Sequence, residues 1–495
     1  MSRARNNRGG SKAAVPVEDL LGVIIGDVIA TQTMSTEDWW AQNRDAPFVS
    51  MAIPAGRGRE YRVTQKGIDA AHRLTQQSWD GRLDLRQTIE RKMFDRVSFS
   101  AIGEAIAGAK AHLPKNNEDD PDGARLSAAI AADYAKNLDR IAQDVRGDAD
   151  RHIPCQLFDD DQGVTSFAIG PVSFLPRADW IARFITDPVA ADLVRAVDLG
   201  TLAADALQKM ALGQSSDAAA YQAWEALSFL RGYGWVATIR IAHHEAGQAQ
   251  LKASVLIGLA IDALGLRFHQ GDATRLVKAD RAYLAGEVRF ATTASGKVLR
   301  GSTVHRSGLG SAPGRLAAKM AAERPFLNAA GVVLAAFLQA RQTGRAPHIV
   351  ERWVNALYWV GEARREASDF MAVVHYGCAL DGLTGAGGDI KPMTTFAEAA
   401  LNPKAGQATS GDGVSVAEAV RRVYAEGRNK LAHGEMPGLL EDLADVRRLG
   451  DDLLVHLFDR VTLDLADVVN QTPAKLDIPS DHAIRGQIAR LARRP

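Results

Sequence analysis

Cysteine is almost missing from this chain of 495 residues: Cys155 and Cys378 stand far apart and outside any paired motif. That argues against a disulfide framework and a zinc ribbon, and it fits a reducing cytoplasm. An excess of one charge is missing too, because 59 Lys and Arg balance 59 Asp and Glu. No global field then draws in nucleic acid, so any polyanion site has to be a local basic patch. Long apolar runs are also lacking. The most apolar stretches, 20–30, 253–266 and 331–340, fall short of the roughly 18 residues a membrane helix needs, and Asp27 and Asp262 interrupt the first two. No membrane role is expected.

What is present is an apolar share of 46%, enough to bury several cores, and a length that calls for about two to four domains. Residues 1–16 carry Arg3, Arg5, Arg8 and Lys12 among Gly, Asn and Ser and read as a solvated basic tail. Residues 17–150 read as a mostly helical domain. Its first helix has Leu20, Leu21, Ile24, Ile25 and Val28 at helical spacing, which leaves Asp27 toward solvent. Tyr61, Thr64 and Gly67 follow in a Tyr-x-x-Thr-x-x-Gly pattern. The pattern resembles the wing and last helix of a winged-helix module, placing such an element at 17–80 with a candidate DNA contact; an ordinary strand-to-helix turn reads the same way.

Residues 151–320 mix strands with helices. Val164 to Leu175, with Gly170-Pro171 in the middle, reads as a bulged or edge strand pair, and a hairpin is expected around Val288 to Val304. Residues 325–468 read as a helical bundle. Trp353, Leu357, Val360, Ala363, Ala367, Phe370, Val374 and Cys378 mark one face of a long helix from about His348 to Leu383. Leu439, Leu443, Val446, Leu453, Leu457 and Val461 mark another helix, and Phe326 to Ala340 a further one. Between them Ser415, with Glu418 three residues on, forms a capping box that opens a helix closed by Gly434. Residues 469–495 form a basic tail with Arg485, Arg490, Arg493 and Arg494, a solvated segment that could also touch RNA phosphates. The expected fold is mainly α, with an α+β N-terminal region and a C-terminal bundle.

The chemistry concentrates in Arg428-Asn429-Lys430-Leu431-Ala432-His433-Gly434, where a permanent cation, an amide and an imidazole stand at a helix exit. Spacing alone does not single it out, since an Arg five positions before a His is expected about once by chance in a chain of this composition. Arg300 and His305 repeat the spacing, on a predicted hairpin strand that points them to opposite faces. Arg428 also fits a structural role, complementing the helix dipole or pairing with Glu426 or Glu435, and His433 fits a C-terminal cap. Two other motifs rank lower. His243-His244-Glu245 lacks the second His of a zinc helix, and Gly308 to Gly314 matches neither a dinucleotide nor a phosphate-loop pattern and reads as a turn.

A long helix with an acidic residue near its end, followed by a helix closing on Arg-polar-x-x-x-His, resembles the HEPN superfamily, especially its Apea-like branch. Asp381, Arg428, Asn429 and His433 carry the resemblance, which covers about residues 325–468; Asp381 departs from the more usual Glu. It implies a metal-independent endoribonuclease without a cofactor, active as a homodimer in which the motifs of two bundles meet on RNA. The residue types suit that chemistry. Cleavage without a metal needs proton transfer at the 2′-hydroxyl and the leaving 5′-oxygen, plus a cation on the phosphoryl oxygens. His433 can move the protons and Arg428 can hold two phosphate oxygens at once. Asn429 could orient either side chain, and Asp381 is either an orienting carboxylate or a solvated helix-end residue. In an unbroken α-helix Arg428 and His433 would stand roughly 140° apart, so His433 is expected at an end that departs from helical angles.

Overall fold

The computed structural model describes residues 15–42, 52–56, 58–109, 123–159, 163–281, 286–295, 298–304, 308–312, 314–339, 347–401, 413–434 and 442–470. The 1–14 and 471–495 parts of the two tails, Leu439 and His305 lie outside them. Helix dominates, with some antiparallel sheet, so the chain is mainly α with some β. Among the described residues no single helix is long and apolar enough to cross a membrane. The chain divides into two compact units, Met1–Ala149 with Ile241–Leu251, and Asp150–Arg240 with Lys252–Pro495.

In the first unit, helices α1 (Val17–Gln32) and α2 (Thr36–Gln42) precede a two-stranded antiparallel hairpin, β1 (Ala52–Pro54) and β2 (Glu60–Arg62). Helices α3 (Gln65–Gly81), α4 (Leu83–Arg86), α5 (Arg91–Ala109) and α6 (Gly123–Asp144) follow. Leu20, Leu21, Ile24, Ile25 and Val28 are buried, as their spacing predicts. Asp27 is not turned to solvent. Its carboxylate accepts the Thr64 backbone N–H and hydroxyl, both at 2.6 Å, at the start of α3. A methyl on Gly67 would lie 2.3 Å from the same carboxylate, so all three residues are packed together where the hairpin becomes a helix.

The second unit contains most of a five-stranded sheet in the order β4-β5-β6-β3-β7. Its strands are β3 (Gly147–Gln156), β4 (Phe167–Ile169), β5 (Val172–Pro176), β6 (Trp235–His244) and β7 (Val277–Lys278). The Gly170-Pro171 stretch is the two-residue turn between the edge strand β4 and β5, with Gly170 at φ +58. Four helices, α7 (Arg177–Phe184), α8 (Pro188–Asp198), α9 (Ala204–Leu212) and α10 (Ala218–Leu230), fill the β5–β6 connection. Asp187 and Asp217 cap α8 and α10 through their side chains. Next come α11 (Ala246–Gly265), α12 (Gln270–Ala273) and the antiparallel hairpin β8 (Gly286–Thr292) and β9 (Val298–Val304).

Helices α13 (Arg315–Ala322), α14 (Arg324–Leu338), α15 (Pro347–Arg365), α16 (Asp369–Thr384) and α17 (Ile390–Leu401) lead to the candidate site. There α18 (Val416–Val420) runs into a π-helical stretch, Arg421–Asn429, and on into α19 (Lys430–His433); α20 (Ala444–Asn470) closes the unit. Ser415 caps α18 by accepting the Glu418 N–H at 3.2 Å, while the Glu418 carboxylate turns to Arg421.

The single helix expected from His348 to Leu383 is two helices, broken at 366–368. Arg447 of α20 bridges the break. Its guanidinium donates to the Glu366 carbonyl at 2.8 Å and to those of Ala363 and Arg364 at 3.4 Å, satisfying the open end of α15. It also bonds Asp369 in the first turn of α16 at 2.8 Å. The buried stripe shifts across the break. Trp353, Leu357, Val360 and Ala363 are buried, but α16 buries Ala372, Val373, Tyr376, Ala379 and Leu380 in place of the Phe370, Val374 and Cys378 face.

A buried charge pair joins these helices. Arg364 on α15 makes two bonds to Asp451 on α20, at 2.7 and 2.8 Å, and donates to the Gly265 carbonyl at 2.6 Å. Tyr376 on α16 donates to the same carboxylate at 2.8 Å. Burial opposes the charged guanidinium, but Asp451 outweighs it and the net pKa shift of Arg364 is upward. Asp451→Ala is therefore expected to destabilise this unit by about 3–5 kcal/mol, because it leaves Arg364 buried and unpaired. The double change Arg364→Met with Asp451→Leu should cost much less. Urea unfolding of the single and double variants measures the difference.

Candidate functional site

Asp381 lies near the end of α16, where Gly385 closes the helix at φ +58. Its carboxylate turns back onto the following loop and accepts the Gly388 N–H at 3.1 Å. Tyr424, inside the π-helical stretch, is almost wholly buried. A methyl on Gly388 would lie 3.5 Å from the Tyr424 hydroxyl, so loop, carboxylate and phenol converge. Burial raises the Tyr424 phenol above its ordinary value; the Asp381 carboxylate adds to the rise and the Arg428 guanidinium opposes it.

Arg428 is half-buried and runs along α16. Its Cβ would lie only 2.4 Å from a methyl placed on Gly377, so the missing side chain there makes its path. One position earlier, Gly427 lies equally close to α16, where a methyl would meet Val373 at 2.6 Å. The Arg428 guanidinium stands over the Tyr424 ring, 5.5 Å from its centre, and donates to the Asn429 side-chain oxygen at 2.9 Å. Its Nε is buried and has no hydrogen-bond partner among the described residues. No carboxylate among them pairs with it either: Glu426 bonds Arg421.

Five-back hydrogen bonding ends at Asn429, and the Lys430 N–H closes on the Gly427 carbonyl three residues back. Asn429 (φ −67, ψ −48) and Lys430 (φ −62, ψ −42) nevertheless keep α-helical angles and α19 runs to His433, so the expected departure comes only at Gly434 and Arg428 and His433 of one protomer stay roughly 140° apart around the helix. Gly434 ends the helix in the left-handed region at φ +70, which a residue without Cβ adopts freely. His433 is exposed there and bonds no described residue, so no described carbonyl holds it as a cap. Tyr424 thus stands between Asp381 and Arg428, Asn429 bonds Arg428 directly, and His433 bonds none of these groups. Tyr424 was missed from sequence although it stands four residues before Arg428, the spacing at which helical side chains meet.

The remaining motifs are occupied by structure. The Glu245 carboxylate accepts the N–H groups of Gly247 at 2.8 Å and Gln248 at 3.0 Å, capping α11. No group of three or more His, Cys, Asp or Glu among the described residues is placed to hold a metal ion. Gly308 and Gly314 both take positive φ, consistent with a turn. No protein-family model, curated protein or solved structure matches this chain.

The two helical glycines next to the site make opposite predictions. Gly377→Ala is expected to destabilise by about 1–3 kcal/mol, because the methyl overpacks against Arg428. Gly382→Ala, on the same helix with nothing within 4 Å, should instead stabilise by about 0.5–1 kcal/mol. Thermal unfolding of the two variants compares them.

Proposed function

We propose that residues 325–468 form a HEPN-like domain and that the protein is a metal-independent endoribonuclease, with the Arg428 and His433 groups of two protomers meeting on the scissile phosphate. The observation that carries this reading is that neither group is paired with a carboxylate among the described residues. Arg364, Arg365 and Arg447 in the same unit are each neutralised by a carboxylate. Arg428 has none among the described residues, and His433 is exposed at a helix end. A guanidinium with no carboxylate partner among the described residues is available to a phosphate.

In the reaction the 2′-oxygen bonds to phosphorus as its proton leaves, and the bond to the 5′-oxygen breaks as that oxygen takes up a proton. The products are a 2′,3′-cyclic phosphate and a 5′-hydroxyl. His433 serves the proton transfers, and Arg428 steadies the phosphoryl oxygens, assisted by Asn429. A cytoplasmic role in prokaryotic defence or toxin-like RNA cleavage, restrained or triggered by the N-terminal region, fits such an activity.

Purified protein is expected to cut single-stranded RNA in EDTA and leave cyclic phosphate ends. Arg428→Ala and His433→Ala should each lower the rate by about 100-fold or more with the fold intact by circular dichroism. Cleavage unaffected by both changes would remove the assignment. RNA retention without turnover, weakening steeply with salt, would mark a non-catalytic RNA-binding protein instead.

A second reading concerns residues 17–80, where a hairpin feeds a helix through the Asp27–Thr64 contact. Arg59 is exposed in the connection between β1 and β2 and pairs with no described carboxylate, which suits a wing reaching a DNA backbone. Arg59→Ala is expected to weaken duplex DNA binding equally across sequences and to lower the salt slope by about 1. A gel-shift salt titration reads this; an unchanged slope discards the wing.

A further inference from the structure

We propose that Tyr424 is a positioning residue of the candidate site: its ring carries the Arg428 guanidinium, and Asp381 acts by fixing that ring rather than by touching RNA. The inference rests on the nuclease reading and goes beyond it, because it moves the carboxylate one step away from the reaction and adds a group between it and the cation.

The geometry supports each link. The Arg428 guanidinium lies 5.5 Å from the centre of the Tyr424 ring, within the range of a cation–π contact. Its stem is confined by Gly377, and its Nε faces no described acceptor, so the ring face and Asn429 are what orient the planar head. Tyr424 is buried and cannot itself reach solvent to bind a substrate. Asp381 is already committed to the Gly388 N–H at 3.1 Å, beside the Tyr424 hydroxyl. Burial, and then this carboxylate, hold the phenol in its protonated form. A neutral phenol can aim its proton at Asp381, and the ring then keeps one plane under the guanidinium. Transition-state stabilisation by a fixed cation depends on such pre-set orientation.

Two measurements test this. In steady-state cleavage of a single-stranded RNA oligonucleotide, Tyr424→Leu should lower kcat by at least about tenfold with KM moved less than about threefold, and add nothing in an Arg428→Ala background. Tyr424→Phe keeps the ring face and should retain more activity than Tyr424→Leu. Asp381→Asn should match Tyr424→Phe and have no further effect when combined with it. Full activity in Tyr424→Leu, or an Asp381→Asn loss undiminished in the Tyr424→Phe background, overturns the proposal. Separately, a thermal-unfolding cycle of Tyr424→Leu and Arg428→Ala reads the contact without any enzymology. Additive shifts overturn the pairing, whereas coupled shifts in a protein that cuts no RNA overturn the nuclease reading and leave the pairing standing.

Discussion

The C-terminal helices are organised around a charge that cannot be left alone. Arg364, buried on α15, is held by Asp451 of α20, which also takes the Tyr376 hydroxyl of α16, while the Gly265 carbonyl of α11 takes a further guanidinium proton. Four helices are thereby brought to one point, because a desolvated guanidinium leaves its partners little freedom of position. An apolar core of the same volume could be as stable. It would specify the relative placement of these helices less strongly, since hydrophobic contact has no direction.

That placement sets what α16 offers to the helix beside it. Tyr376 is fixed by Asp451, and its neighbour Gly377 presents a gap rather than a side chain. Arg428 runs through the gap, with Gly427 equally close to Val373. Such close backbone approach leaves little room for adjustment, and it coincides with the π-helical stretch from Arg421 to Asn429. Irregular helical segments of this type are rare and often lie at functional sites. Here the stretch carries Tyr424, Arg428 and Asn429 together, ending just before the turn that presents His433.

Two kinds of arginine separate within this unit. Arg364, Arg365, Arg281 and Arg447 are consumed by carboxylates and carbonyls, and they hold elements together. Arg428 is held by an aromatic face, a neighbouring amide and a packed stem, none of which cancels its charge. The contrast is the physical basis for proposing it as a functional group. Chain-wide charge neutrality is no obstacle, since a local uncancelled cation is enough.

Local rules went a long way in this chain. Apolar spacing located α1, α14, α15 and α20, Ser415 marked a helix start, and Gly434 marked an end, because these signals act within a turn or two of the residue that carries them. Residue chemistry drew attention to Arg428, Asn429 and His433, and the HEPN resemblance added Asp381. Tertiary structure decided the rest. The break between α15 and α16 is bridged by Arg447, 78 positions from Asp369, and its only local sign is the Ser368-Asp369 pair at the start of α16. Asp27 turned inward because Thr64 waited for it 37 positions away. The route of Arg428 is confined by Gly377, a residue on another helix. Amino-acid types determined which groups were present and where helices could start and stop; packing between distant segments determined which charges were cancelled and left Arg428 without a carboxylate partner among the described residues.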